Sequence, residues 1–244
     1  MTLDAKYTVD SGSVLCSGVQ ALVRVVFDQL RTDRARELRT AAFVSGYPGS
    51  PLGGFDRELT KQRALRDELD VHHVPGHNEE LAASSVGASQ LVPNFDSAKV
   101  DGVVGFWYGK APGLDRAGDA IRHAQYIGTA RTGGVVAFLG DDPACKSSTL
   151  PSGSEPMVSA LQMPMLEPST VADVIDLGLH AVALSRASGL WSVLRVVSSV
   201  ADGTASFELD APHRPAPIVP TVEWQGQPYL PRVKAEITGA VTVE

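Results

Sequence analysis

Apolar residues along this chain alternate between helical spacing and short continuous runs. Val19, Leu22, Val23, Val26 and Leu30 recur at helical spacing, and Ser17 with Gln20 three residues on is a capping-box pattern, so a helix is predicted from 17 to about 38. Ala41-Ala42-Phe43-Val44-Ser45 then reads as a strand. Phe55, Leu59, Ala64, Leu65 and Leu69 predict one helix with a charged outer face. A short β-like run at 71–74 leads to Asn78, which caps a helix predicted from 79 to about 91 and rich in Ala, Ser and Gly. Val103, Val104, Phe106, Trp107 and Tyr108 make 102–108 strongly β. A helix is expected from about Asp115 to Tyr126, ending near Gly128. The run 135–139 is the most apolar and reads as buried on both faces, as parallel strands are.

Residues 143–156 are rich in Ser, Pro and Gly and read as a loop, followed by a short helix at 157–162 and a strand-like 163–166. Ser169 or Thr170 caps a long helix carrying Val171, Val174, Ile175, Leu177, Leu179, Val182 and Leu184, and 190–200 reads as a final strand. About six β-α units imply an α/β fold, a doubly wound and mainly parallel sheet with helices on both faces. The expected division is a polar, irregular arm at 1–16, a domain at 17–204, and an extended arm or linker at 205–244. Pro212, Pro215, Pro217, Pro220, Pro228 and Pro231 exclude a helix from that last stretch. It ends without a closing element, as at a boundary, and no internal repeat is visible.

Composition narrows the function classes. A hydrophobic content of 43% and a charged content of 20% fit a globular chain of 244 residues. The net charge of −7 argues against a nucleic-acid surface. No apolar run approaches a membrane span, and no basic segment followed by an apolar one marks a secretory signal, so a cytoplasmic protein is expected. Cys16 and Cys145 are too few for an iron–sulfur cluster, which takes about four thiolates.

Four loops follow β-like runs and open toward helices, the arrangement that gathers ligand-binding loops at the carboxyl ends of strands. They are Tyr47-Pro48-Gly49-Ser50-Pro51-Leu52-Gly53-Gly54, Gly76-His77-Asn78-Glu79-Glu80, Gly109-Lys110-Ala111-Pro112-Gly113 and Gly140-Asp141-Asp142-Pro143. The stretch from Gly105 to Lys110 lacks the gap and hydroxyl of a P-loop, and Ser50 lies one position early for a nucleophile elbow. His73 and His77 are four apart, but Pro75-Gly76 between them forbids a shared helix face, so no metal site is expected. Asp176 and His180 read as a surface pair. Glu79 reads as a helix-start acid favoured by the macrodipole or as a cleft carboxylate. Lys110 reads as a snorkelling lysine or a carboxylate anchor, and Asp141-Asp142-Pro143 as an Asx turn or a cleft wall.

Taken in register, Tyr47-Pro48-Gly49-Ser50-Pro51, Asn78-Glu79 with Ala82, Gly109-Lys110 with Pro112-Gly113-Leu114-Asp115, Gly133-Gly134-Val135, and Asp141-Asp142-Pro143 with Ser147-Ser148 resemble the N-terminal part of the indolepyruvate:ferredoxin oxidoreductases. The likeness is nearest to their long fused bacterial form. There the matching stretches read Tyr-(Pro/Arg)-Gly-Ser-Pro-Leu-Gly-Gly, Asn-Glu and Lys-Ser-Ser-Thr-Leu-Pro; here the last is Lys146-Ser147-Ser148-Thr149-Leu150-Pro151. The resemblance covers residues 7–205.

The resemblance implies the pyrimidine-binding (Pyr) domain of a thiamine-diphosphate enzyme. Glu79 would be the catalytic carboxyl, hydrogen-bonded to N1′ of the aminopyrimidine. Pro48, Gly49 and Asn78 would join it in binding the cofactor. Ser50, Lys110, Ser147 and Ser148 would hold the substrate carboxylate by hydroxyl and charge. The implied reaction is oxidative decarboxylation of an aryl-2-oxoacid to an acyl-CoA, with electrons passing through iron–sulfur clusters to ferredoxin. The Gly-Asp-Gly…Asn motif for diphosphate and magnesium is absent here, as are the cysteine clusters. Both are expected on other domains or subunits of an oligomeric complex, which makes this chain a fragment, a split subunit or a remnant. The competing reading is a non-catalytic α/β interaction module that kept the fold without its partner domains.

Overall fold

The apolar runs of the sequence become one parallel sheet. The computed structural model describes residues 5–210, 222–229 and 232–233. Among these, β2 (Thr40–Gly46), β3 (Val71–His73), β4 (Gly102–Lys110), β5 (Val135–Asp141), β6 (Met165–Leu166) and β7 (Ser192–Val197) form a six-stranded sheet in the order β3-β2-β4-β5-β7-β6, and every pairing is parallel. β1 (Ser11–Ser17) lies outside that sheet.

Successive side chains on a strand point to opposite faces. Phe106 and Phe138 are therefore buried on one face with Phe27, Leu30, Val44 and Leu194, under α2 (Gly18–Ala35), α3 (Phe55–Lys61), α4 (Arg63–Leu69) and α8 (Val171–Ser188). Their neighbours Trp107 and Leu139 are buried on the other with Val86, Leu114, Ile121 and Trp191, under α5 (Glu79–Ser89), α6 (Ala111–Ile127) and α7 (Glu155–Ala160). The fold is the doubly wound α/β class expected from the pattern. Ser17 and Gln20 complete the predicted capping box of α2, a feature worth about 1 kcal/mol. Behind the sheet, Arg186 of α8 grips the buried Asp33 of α2 through two nitrogens, at 2.7 and 2.6 Å.

The chain departs from its pattern where distant contacts decide. The single helix expected over 55–69 breaks at Gln62 into α3 and α4. Six residues of helix turn through about 600°, leaving Leu59 and Leu65 about 120° out of phase, and the break lets both face the same core. Helix α6 starts at Ala111, earlier than Asp115, because Pro112 suits the first turn, where no N–H is needed. Strand β7 is shorter than 190–200. Ser198–Ala201 instead forms α9, which packs on the start of α2, where the Gly18 amide donates to Gly203 O at 3.0 Å.

The two arms also differ from expectation. The arm at 1–16 is expected to be irregular, yet β1, within and just beyond it, pairs antiparallel with β8 (Thr204–Asp210) along its whole length. Only Val14 and Cys16 of β1 are buried, while Leu15 between them is 60% exposed. So short an alternation gives little local signal, and its partner lies far along the chain. The preceding turn of helix, α1 (Ala5–Thr8), is held by the buried Arg24, which donates to the carbonyls of Lys6 and Val9. Within the Pro-rich stretch, β9 (Val222–Trp224) and β10 (Gln227–Tyr229) form a hairpin, and Val233 donates to Ser188 O at 2.9 Å. The remainder of that expected extended arm lies outside the described residues. No described helix is long and apolar enough to cross a membrane.

Candidate active site

Strand order fixes where the site sits. From β2 the chain moves outward to β3, and from β4 it continues to β5 on the opposite side, so β2 and β4 flank a topological switch point. The loop at 47–54 leaves β2 there. Its Gly49 lies against the Lys110 methylenes, which a Cβ on residue 49 would approach to 3.1 Å. The same loop folds Pro51 and Leu52 over Gly140 at the end of β5, where a Cβ would meet Leu52 Cγ at 2.7 Å. Three of the four loops singled out in the sequence are thereby in contact, and the fourth joins them through the amide of Gly76, which donates to Gly46 O at 2.9 Å.

Glu79 opens α5. Asn78 caps that helix, its side-chain oxygen accepting from the Leu81 amide at 2.9 Å. Trp107, fully buried, donates its indole N–H to Glu79 O at 3.0 Å and fixes the backbone there. The Glu79 carboxyl runs over Gly113 in the first turn of α6, where a Cβ would fall 2.9 Å from Oε1. Two helix N-termini therefore face this carboxylate, and both favour negative charge. Arg116 approaches it only to 4.0 Å, and the Glu79 side chain is 13% exposed. Glu80 beside it is exposed. The Lys110 ammonium has no hydrogen bond or ion pair among the described residues, and Pro48 is exposed.

The substrate-side serines are placed by one carboxylate. Asp142, at the end of β5 and 1% exposed, accepts from the amides of Lys146 (3.0 Å), Ser147 (2.8 Å) and Ser148 (2.9 Å) and from the Ser198 hydroxyl (3.0 Å). The Ser147 amide leads in holding its pKa far below the usual carboxylate range, against the opposing push of burial, with Lys146, Ser198 and Ser148 adding to it. Asp141-Asp142-Pro143 thus opens a turn built on a side-chain acceptor, Asp142. The Ser147 hydroxyl then meets that of Ser50, bringing together residues 97 apart in sequence. Ser148 points its hydroxyl into a buried position without a hydrogen-bond partner among the described residues.

Two clusters escaped the sequence reading. His73 Nε2 lies 2.9 Å from Asp56 Oδ1, and the Tyr108 hydroxyl donates to the same oxygen at 3.0 Å. Burial pushes the His73 pKa down despite the opposing pull of Asp56, and burial, helped by Asp56, pushes that of Tyr108 up. Arg195, buried on β7, pairs with Asp141 (2.6 Å), Glu155 (2.7 Å) and Glu167 (2.8 Å). Each cluster draws on at least three elements, so no local spacing announces it. A separate groove of about 540 Å³ beside β3, floored by Phe43 and Val103, holds none of the candidate residues.

No protein-family model matches the chain. Curated relatives do. The indolepyruvate oxidoreductase subunit IorA of Methanothermobacter thermautotrophicus is 29% identical over 160 residues, 64% of this chain and 23% of that subunit. The IorA subunit of Archaeoglobus fulgidus is 27% identical over 185 residues, 75% of this chain and 28% of its own. That of Pyrococcus abyssi is 26% identical over 186 residues, 76% and 25% respectively. The chain is similar in sequence to part of the indolepyruvate oxidoreductase subunits.

It spans about a quarter of the length of the curated relatives it matches. Among solved structures, the 2-oxoglutarate:ferredoxin oxidoreductase from Magnetococcus marinus with 2-oxoglutarate, coenzyme A and succinyl-CoA bound superposes with a TM-score of 0.61 at 16% identity. That match covers 89% of this chain and 34% of the other, and it establishes the fold. The switch-point loops of this chain therefore sit on the same kind of doubly wound scaffold.

Proposed function

We propose that residues 17–204 form a Pyr-like unit contributing half of a thiamine-diphosphate site in a 2-oxoacid:ferredoxin oxidoreductase of the indolepyruvate type. The observation that carries this reading is the Glu79 carboxyl, held at two helix N-termini over the bare Gly113 and without a close basic partner. The missing Cβ of residue 113 makes room for the Glu79 side chain itself, whose Cγ a Cβ there would approach to 2.8 Å, so the carboxyl can lie along the start of α6 and offer an oxygen to an aminopyrimidine edge. Thiamine diphosphate, when bound, supplies the nucleophile and electron sink for decarboxylating a 2-oxoacid. Glu79 hydrogen-bonds N1′ and holds the proton there, with Asn78, Pro48 and Gly49 shaping the cofactor's surroundings. Lys110 and the hydroxyls of Ser50 and Ser147 take the substrate carboxylate, an aryl-2-oxoacid by analogy with the relatives' names, whereas the Ser148 hydroxyl, expected to join them, is buried away from it.

The diphosphate with its magnesium and the iron–sulfur clusters belong, in this reading, to other domains or subunits, and ferredoxin is the acceptor. Two unpaired cysteines accord with a reducing, cytoplasmic compartment. The chain by itself should then reduce no viologen dye with 2-oxoacid, cofactor and magnesium supplied.

The test uses adjacent glutamates in the complex reconstituted with its partner chains. Neighbours on a helix point about 100° apart, so only one faces the cofactor. Glu79→Gln should slow hydrogen exchange at C2 of the bound cofactor by about 10²–10⁴-fold, the usual scale of a lost acid–base partner. Glu80→Gln should leave it unchanged. Exchange unaffected by Glu79→Gln would remove the cofactor assignment and favour the non-catalytic module.

A further inference from the structure

Adjacent aspartates at the end of β5 point to opposite faces of the sheet and grip the two ends of one loop. Asp141 accepts from the amide and hydroxyl of Ser154, at 2.9 and 2.8 Å, and from Arg195. Asp142 accepts from the amides of 146–148 and from Ser198 on α9. The segment between them is therefore carried across the strand end as a fixed span, and Ser147 is its point of contact with the 47–54 loop.

We propose that Asp142 is a positioning residue: by wrapping 146–148 around its carboxylate it sets the Ser147 hydroxyl against Ser50 and makes the two a single preformed pair. The chemistry follows from hydroxyl inventory. When one hydroxyl donates to the other, the acceptor still has an O–H to direct outward. Gly49 brings the Lys110 stem beside the same loop, so an ammonium and one free O–H donor stand near one another. That pair suits a carboxylate. The carboxylate of Asp142 does not compete for the same donors, because each of its oxygens already accepts two, three from the amides of the turn and one from the Ser198 hydroxyl of α9. The link to substrate rests on the proposed 2-oxoacid function, whereas the placement of Ser147 by Asp142 does not.

The test separates these. In the full chain carrying Cys145→Ser, Ser50→Cys and Ser147→Cys place two thiols where the hydroxyls meet, and their oxidation to a disulfide reports how often the loops are in register. Adding Asp142→Asn should slow that cross-linking by about tenfold or more, the scale of one lost hydrogen bond to a charged group, at a temperature well below the thermal midpoint. An unchanged rate would overturn the proposal, since a residue that only stabilises the fold would lower the midpoint and leave the rate alone. Should Asp142→Asn fail to fold, amide exchange in the unsubstituted chain decides. Protection of 146–148 beyond Ala144 and Thr149 supports the wrap, and equal exchange overturns it. In the reconstituted complex, Asp142→Asn and Ser147→Ala should each raise the KM for a small 2-oxoacid, with kcat little changed, and the double variant should add nothing. Absence of any 2-oxoacid turnover in the unsubstituted complex would remove the function while the cross-linking result stood.

Discussion

At the β5 end of the cleft, polar groups are spent on one another: Asp142 receives four donors, and Arg195 answers three carboxylates. At the α5–α6 end they are not: Glu79 has one distant arginine, and Lys110 has no partner among the described residues. The first arrangement is that of a wall, whose hydrogen bonds hold it still. The second is that of groups kept available for something the chain does not itself supply. Buried charge is costly unless paired, so the rim of a cleft, where Glu79 keeps some exposure, can leave such groups open where a core cannot.

Removing the wall should cost most. Asp141→Ala leaves the buried Arg195 with only its two half-exposed glutamates, and about 3 kcal/mol of unfolding free energy should be lost, read from denaturant curves. A loss comparable to that of a surface substitution would erase the contrast.

A pH series sharpens it next. The His73 pKa is lower in the folded chain than in the unfolded one, so the unfolded state binds the proton more readily. The stability His73 contributes is present above about pH 6.5 and declines as pH falls, by at most about 1.4 kcal/mol per pH unit. Around His73 stand Asp56, Arg66, Tyr108 and Thr60; the first two bear on its charge, Asp56 favouring it and Arg66 opposing it. His73→Asn should flatten that limb of the curve. Asp142, likewise lowered, contributes above about pH 4 and loses its share in stronger acid.

At the open end, effects on stability should shrink and change sign. Gly113→Ala should raise stability by up to about 0.5 kcal/mol through helix propensity, while its new methyl pushes Glu79 aside and weakens cofactor binding in the reconstituted complex. Calorimetry and a cofactor titration on one preparation would show both. Smallest of all, Lys110→Ala should move stability by no more than about 0.5 kcal/mol and still raise the KM for a 2-oxoacid. A large loss of stability would mean that Lys110 belongs to the wall.

Legibility followed the range of the forces involved. Strands β2, β4 and β5 stood out because burial on both faces leaves continuous apolar runs. The cap at Asn78 showed because its partner is three residues away. Nothing local records that Ser50 and Ser147 touch, or that Asp56, His73 and Tyr108 share a proton-bearing cluster, since each contact is made only when the sheet assembles. The four loops were read from glycine and proline, whose backbone demands are local. Which polar side chains within them are already committed to the protein was not readable, and that commitment is what separates Asp142 from Glu79.

The ribbon of β1 and β8 has one further consequence. Ser11 stands opposite Asp210 in its register, so the strand before the first long helix cannot find its partner until nearly two hundred later residues exist. During vectorial synthesis the sheet and its helices can form first, and the ribbon is a late zipper; such long-range closure slows folding more than it affects final stability. Once closed, it brings the entry and exit of the intervening chain side by side. A unit tethered in this way can be spliced into a longer polypeptide, or cut open at a surface turn and rejoined across the ribbon.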